Sequence, residues 1–140
     1  MQDRGESMKK YVGLVLLVGV LVFLVMVCNI TEEAPPIELP DVAEISVINI
    51  TTPDEEEISY SAVVWIEAFI GALSRSEATN RLSVQDFPNV DSYGKIDIVC
   101  EDSIVTCFYY QEGDMYYIEQ PYRGIYETST NLDMLIIGVE

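Results

Sequence analysis

A chain of 140 residues with 24 acidic and seven basic side chains, a net charge of −17 and no histidine excludes much at the outset. Such acidity repels nucleic acid phosphates, so no DNA or RNA partner is expected. The missing imidazole removes histidine-based triads, histidine-ligated zinc and the commonest general base together.

Residues 1–10 are polar, with Arg4, Lys9 and Lys10 against Asp3 and Glu6. Residues 11–30 then open on YVGLVLLVGVLVFLVMVC, which contains no charged side chain. At about 1.5 Å per residue, ~20 residues make a helix of roughly 30 Å, the thickness of a bilayer's hydrocarbon core. The run predicts an uncleaved transmembrane signal anchor, a single pass through the cell membrane. Basic residues precede it and Glu32 and Glu33 follow it. That asymmetry places a cytoplasmic tail at 1–10 and the rest of the chain outside. Two other readings stay open. A lipoprotein anchored at Cys28 would want a small residue where Val27 stands, and a cleaved signal peptide would want a shorter run and a small-residue cleavage site.

Residues 31–43 form a linker in which Pro35, Pro36 and Pro40 favour extended geometry and the glutamates add self-repulsion. It is expected to hold the domain away from the lipid. Asn29-Ile30-Thr31 and Asn49-Ile50-Thr51 fit the glycosylation sequon, which has meaning only in a host that glycosylates.

Residues 44–140 are the domain, long enough for a modest core. The β-branched stretch 44–50 predicts a first strand, stopped at Thr51-Thr52-Pro53. Thr52 as cap, Pro53 as first helical residue and Glu55 as the third make a capping box, so a helix is expected over 54–73. Asp54, Glu55, Glu56 and Glu57 would suit the positive end of its dipole, which explains them without a metal ion. Ile58, Ala62, Trp65, Ile66, Phe69, Ile70 and Leu73 recur at helical spacing. Between 74 and 94 there is no long hydrophobic pattern, only a strand-like start at Ser83 that Pro88 ends. A stretch this long carries function or a short hidden element. Strands follow at 95–100, 104–110 and 115–120, joined by turns short enough to force antiparallel pairing. Pro121 breaks the ladder or marks its edge. The apolar stretch 131–139 is read as a short closing helix capped by Ser129 or Thr130. The fold class is α+β in the order β-α-β-β-β. It is one antiparallel sheet of about four strands, with one amphipathic helix on a face centred on Trp65, Ile66 and Phe69.

Three stretches carry a resemblance. They are Leu39-Pro40 leading into Ile45 to Ile50; TNRLSVQDFP at 79–88, running on to YGKID at 93–97; and YYIEQPYRGIY at 116–126. On these the chain resembles DUF5301, an uncharacterised family of bacterial extracytoplasmic or membrane-anchored domains, over roughly residues 37–135. The resemblance implies a self-contained domain outside the membrane. It brings no activity, substrate or catalytic residue. Cys100 and Cys107 are not part of the pattern.

Those cysteines lie where disulfides can form. With Glu101-Asp102 as a two-residue turn, Cys100 faces Ser103 and Cys107 faces Ile96, too far apart along the ladder to bridge. A loop centred on Ser103-Ile104 would bring them together. Tyr109, Tyr110, Tyr116, Tyr117, Tyr122 and Tyr126 crowd the last hairpin, and alternation turns one ring of each adjacent pair outward. Tyr117, Tyr122, Arg123 and Tyr126 are the candidate recognition surface. Arg123 either pairs with Glu119 or Glu127 or takes a ligand carboxylate or ring. No catalytic, cofactor or metal residue is assigned.

The functional expectation is a non-catalytic, membrane-anchored extracytoplasmic domain that binds a partner or ligand at the cell surface, an envelope protein or a glycan. The alternatives are a structural or accessory module of an envelope complex, and a carboxylate-based hydrolase, which would need two acids facing each other in a cleft.

Overall fold

Alternation of apolar and polar side chains sends every second residue of a strand to one face, and that rule builds most of this domain. The computed structural model describes residues 33–137, together with Val15 and Leu17. A 3-10 turn at Val42–Glu44 leads into β1 (Ile45–Thr51) and β2 (Glu57–Tyr60). Helix α1 (Val63–Leu73) and the short β3 (Glu77–Ala78) follow. After a long irregular segment come β4 (Gly94–Cys100), β5 (Ile104–Glu112), β6 (Met115–Gln120), β7 (Gly124–Thr128) and helix α2 (Leu132–Ile137). The strands form one seven-stranded sheet in the order β2-β1-β4-β5-β6-β7-β3. Every neighbouring pair is antiparallel.

The core lies on one face. Ile50 pairs with Ile96 and Ile96 with Cys107. Tyr109 pairs with Ile118, and Ile118 with Tyr126. All six are buried. Over them α1 lays Trp65, Ile66, Phe69, Ile70 and Leu73, and α2 adds Leu132 and Ile136. Tyr60, Trp65 and Phe69 stack in series, with ring centroids 3.8 and 4.6 Å apart. Trp65, Ile66 and Phe69 thus stand in the helix's contribution to the core, with Ile70 and Leu73 beside them, as its spacing predicts.

The architecture differs from the expected one. Within residues 33–137 it is mostly sheet, with seven antiparallel strands and two short helices in place of about four strands under a long helix. The helix expected from 54 begins only at Val63, and Ala62 gives it no side-chain cap. Thr52 instead closes a hairpin turn. Its N–H donates to Glu56 O at 2.8 Å, its carbonyl accepts from Glu55 N at 2.9 Å, and its hydroxyl accepts from Glu56 N at 3.1 Å. Ile58 and Tyr60 then pair with Ile50 and Ile48 on the core side. A capping box is a local preference worth about 1 kcal/mol, and a strand pairing that buries two apolar side chains outweighs it. Asp54, Glu55 and Glu56 lie at the exposed turn, so the dipole reading of them falls with the helix. The irregular stretch hides β3, and β7 forms after Pro121 turns the chain back. The closing helix is present over Leu132–Ile137, and its side-chain cap is Asn131, which accepts from Met134 N at 3.1 Å.

The segment expected as a free linker is extended, but from residue 33 it packs on the sheet. Ala34 is buried, and its N–H donates to Thr79 O at 2.9 Å. The Gln120 amide clamps Glu38, accepting from its N–H at 3.0 Å and donating to its carbonyl at 2.7 Å. A Cβ at Gly124 would stand 2.4 Å from that of Ala34, so glycine is what lets this strap lie down. The domain therefore starts at about residue 33 rather than 44. The transmembrane helix expected over 11–30, the tail at 1–10 and Cys28 lie outside the described residues. Among the described residues no helix is long and apolar enough to cross a membrane.

Candidate functional site

Because α1 and α2 cover one face, the side chains of opposite parity line the other. In register across it stand Lys95 with Phe108, Asp97 with Thr106, Phe108 with Glu119, Tyr110 with Tyr117, and Glu119 with Ile125. Among the described residues no helix covers this face. The irregular segment 79–93, which holds the TNRLSVQDFP stretch, runs across it instead.

Named contacts pin that segment along its length. The carbonyl of Ile125 accepts from Thr79 N at 3.1 Å and from the Thr79 hydroxyl at 2.6 Å. Arg81 takes the Ile125 N–H on its carbonyl at 3.0 Å. Its guanidinium donates to both Glu112 oxygens, at 2.7 and 3.3 Å, and lies 5.3 Å from the Tyr117 ring centroid. Ser83 Oγ donates to Glu119 Oε1 at 2.6 Å, and Tyr110 OH to Glu119 Oε2 at 3.3 Å. Tyr122 OH donates to Asp86 Oδ1 at 2.7 Å, and Tyr93 meets Phe108 edge-on at 5.5 Å.

The electrostatics follow from these neighbours. The bond to Glu112 raises the Arg81 pKa further, so its charge is fixed. Burial, and then the Glu119 charge, push the Tyr110 phenol up, so it remains a donor. The bond to Asp86 raises Tyr122 in the same sense.

Two cavities flank the pinned segment. The larger, of about 730 Å³, runs between the Thr51–Glu55 turn and the 86–93 stretch. Its floor is Lys95, Thr106 and Phe108, and Phe87, Tyr93, Asp86, Asp91 and Glu55 stand around it. Phe87 is 59% exposed at its edge. Lys95 is held by Asp97 at 2.7 Å, so the three remaining acids leave the groove net negative. Glu55 (φ 66°) and Tyr122 (φ 58°) are the non-glycine residues in left-handed backbone among the described residues. Glu55 lines this groove, and Tyr122 holds its Asp86. The smaller cavity, of about 370 Å³, is lined by Arg81, Gln85, Asn89, Tyr110 and Glu119 among others. Among the described residues no three histidine, cysteine, aspartate or glutamate side chains converge to hold a metal ion.

The four side chains of the expected recognition surface are not brought together. Tyr117 lies half-buried beneath Arg81 on the helix-free face. Tyr122 is exposed on the β6–β7 turn beside the larger groove. Tyr126 is fully buried on the core face, and its hydroxyl donates to Pro35 O at 2.8 Å. Arg123 pairs with neither Glu119 nor Glu127. Its guanidinium holds the strap, in an ion pair with Glu38 and a bond from Nε to Pro36 O at 3.3 Å. Alternation sends Tyr117 and Tyr126 to opposite faces, and Arg123, in the turn between β6 and β7, meets whatever packs beside that turn rather than its neighbours in sequence. Sequence reading missed Ser83, Phe87, Tyr93, Phe108, Tyr110 and Glu119. The signal available was the long unpatterned stretch that carries a family motif.

The cysteines stand as the turn arithmetic has them: Cys107 opposite Ile96, Cys100 N donating to Ser103 O at 2.9 Å, and both thiols free.

Residues 33–127 match the family model DUF5301, described as a domain of unknown function (DUF5300). An NMR structure of a protein from Ruminococcus gnavus is similar at 32% identity and a TM-score of 0.64, over 74% of this chain and 99% of that one. No curated protein matches.

Proposed function

We propose, from the premise that this chain belongs to the DUF5301 family, that its domain is a non-catalytic recognition module held outside the cell by the hydrophobic run at 11–30. The observation that carries the reading is the groove of about 730 Å³ on the helix-free face. Its volume falls in the range of ligand sites, about 300–1,000 Å³. Phe87, Tyr93 and Phe108 offer apolar edges and faces, with carboxylates at the rim to accept hydrogen bonds. This mixture suits the flat face of a sugar ring or a side chain of an envelope protein. Glu55, in left-handed backbone on the groove's lining, adds support, since backbone strain persists where surrounding structure holds it. The flanking charges, Arg4, Lys9 and Lys10 before the run and Glu32 and Glu33 after it, support the outward orientation.

The test is crosslinking of the native protein in its own membrane, with identification of the adducts. Phe87→Ala and Tyr93→Ala are expected to fold and to lose the captured partner. Retention of every adduct by both variants would sink the groove as the recognition site.

A further inference from the structure

We propose that the smaller cavity on the helix-free face is a second binding site, for an organic cation bearing N–H donors, a primary ammonium or a guanidinium, with the Glu119 carboxylate as its anion. Glu119 is 3% exposed and lines this cavity. It accepts from two hydroxyls, Ser83 at 2.6 Å and Tyr110 at 3.3 Å, and has no ion-pair partner among the described residues. A buried carboxylate without a cation is unfavourable, and two neutral hydroxyls offset only part of that. Ser83 and Tyr110 donate to different carboxylate oxygens, which explains two acceptors at this place but leaves the charge itself without a cation.

The cation that lines the same cavity is committed elsewhere. Arg81 lines the same cavity, but two of its three guanidinium nitrogens go to Glu112 at 2.7 and 3.3 Å, with the Tyr117 ring 5.3 Å away. The Arg81–Glu112 pair is neutral together, so the cavity keeps the negative charge of Glu119. A carboxylate offers about four acceptor positions and two are taken, which leaves room for N–H donors from a ligand. The Gln85 and Asn89 amides line the same space and supply further acceptors. No three metal-ligating side chains converge there among the described residues, so the donor set fits N–H groups rather than a metal ion. A volume of about 370 Å³ admits a small amine or one basic side chain.

The experiment uses the full chain in detergent micelles, followed by NMR of the Glu119 side-chain carboxyl carbon and the backbone amides. Methylammonium and guanidinium chlorides are titrated in, against sodium and tetramethylammonium chlorides at matched ionic strength. The expected result is a saturable shift of the Glu119 carboxyl and of the Ser83 and Tyr110 amides with the first two salts. Tetramethylammonium, which has the charge but no N–H, is expected to give none. Glu119→Gln is expected to weaken binding at least tenfold. If that variant does not fold, the carboxyl signal of the native chain decides alone. A Glu119 carboxyl already protonated at neutral pH, a shift that never saturates, or equal binding by a folded Glu119→Gln variant overturns the proposal. Shifts confined to Phe87, Tyr93 and Asp91 also overturn it while supporting the larger groove, and failure here leaves that groove standing.

Discussion

Gly94 shows how one residue's size is set by its partner across a ladder. It pairs with Tyr109, and a Cβ at position 94 would stand 2.1 Å from Tyr109 Cε1. Tyr109 is buried and its ring cannot swing into water. Gly94→Ala is therefore expected to destabilise the domain by about 1–3 kcal/mol, the usual range for overpacking. Urea denaturation checks this, and Tyr109→Leu in the same chain is expected to recover part of the loss. Cys107 gives a second prediction at this scale. Burial, helped by Asp97, pushes its thiol from 9.0 up to about 12, and burial pushes the Tyr109 phenol from 10.0 up to about 12. The folded state keeps these protons at pH values where the unfolded chain releases them. Their stabilising contribution is thus complete below about pH 9 and is lost as pH rises toward about 12. Denaturation followed between pH 8 and 11 is expected to show falling stability, with a shallower fall in Cys107→Ala. At pH 8 a thiol reagent is expected to label half-buried Cys100 in the folded chain and to reach Cys107 only on unfolding.

Among the elements, the strap from Ala34 to Pro40 is the one whose role composition conceals. Its three prolines and Glu38 read as a spacer, yet side chains of β6, β7 and the turn between them hold it. Gln120 clamps Glu38, Arg123 reaches Glu38 and Pro36, and Tyr126 donates to Pro35. Gln120 is buried, and its removal takes both partners from the Glu38 peptide. Gln120→Ala is expected to cost about 1–3 kcal/mol, as for buried polar groups left unpaired. Hydrogen exchange at the Glu38 amide is expected to accelerate more than exchange at Ile96, because the strap loosens before the sheet does. Unchanged protection of Glu38 would show that the clamp is not what holds the strap. The hairpin of β1 and β2 carries the opposite lesson. Thr52 does accept from a backbone N–H downstream, as a cap would, but it closes a turn instead of starting a helix.

For the molecule as a whole, one sheet separates two environments. The helix-covered face is a hydrophobic core, and the open face is aromatic and charged under the 79–93 segment. The proposed placement outside the cell predicts that protease added to intact cells removes residues 33–140, and that lysis is not required. Protection of the domain in intact cells with cleavage only after lysis would place it on the other side of the membrane.

By itself the sequence determined what depends on near neighbours. Short turns made β4, β5 and β6 antiparallel, and a two-residue turn at Glu101-Asp102 set Cys107 opposite Ile96. The helical spacing of Trp65, Ile66, Phe69 and Leu73 marked the covering face. The acidic balance and the missing histidine bounded the chemistry. Tertiary structure alone decided what depends on partners far along the chain. Glu57 to Tyr60 became a strand because β1 had a free edge, against a local signal for helix. Ala34 and Glu38 joined the domain because Gly124 and Gln120 stand far along the chain, 82 residues on for the Glu38–Gln120 pair, ready to receive them. Glu119 became a buried carboxylate because Ser83, which carries no sign of it in its own neighbourhood, folds back over the sheet. Local propensities are worth about 1 kcal/mol or less per residue, while closing such long-range contacts buries whole side chains, so distant contacts prevail wherever the two compete.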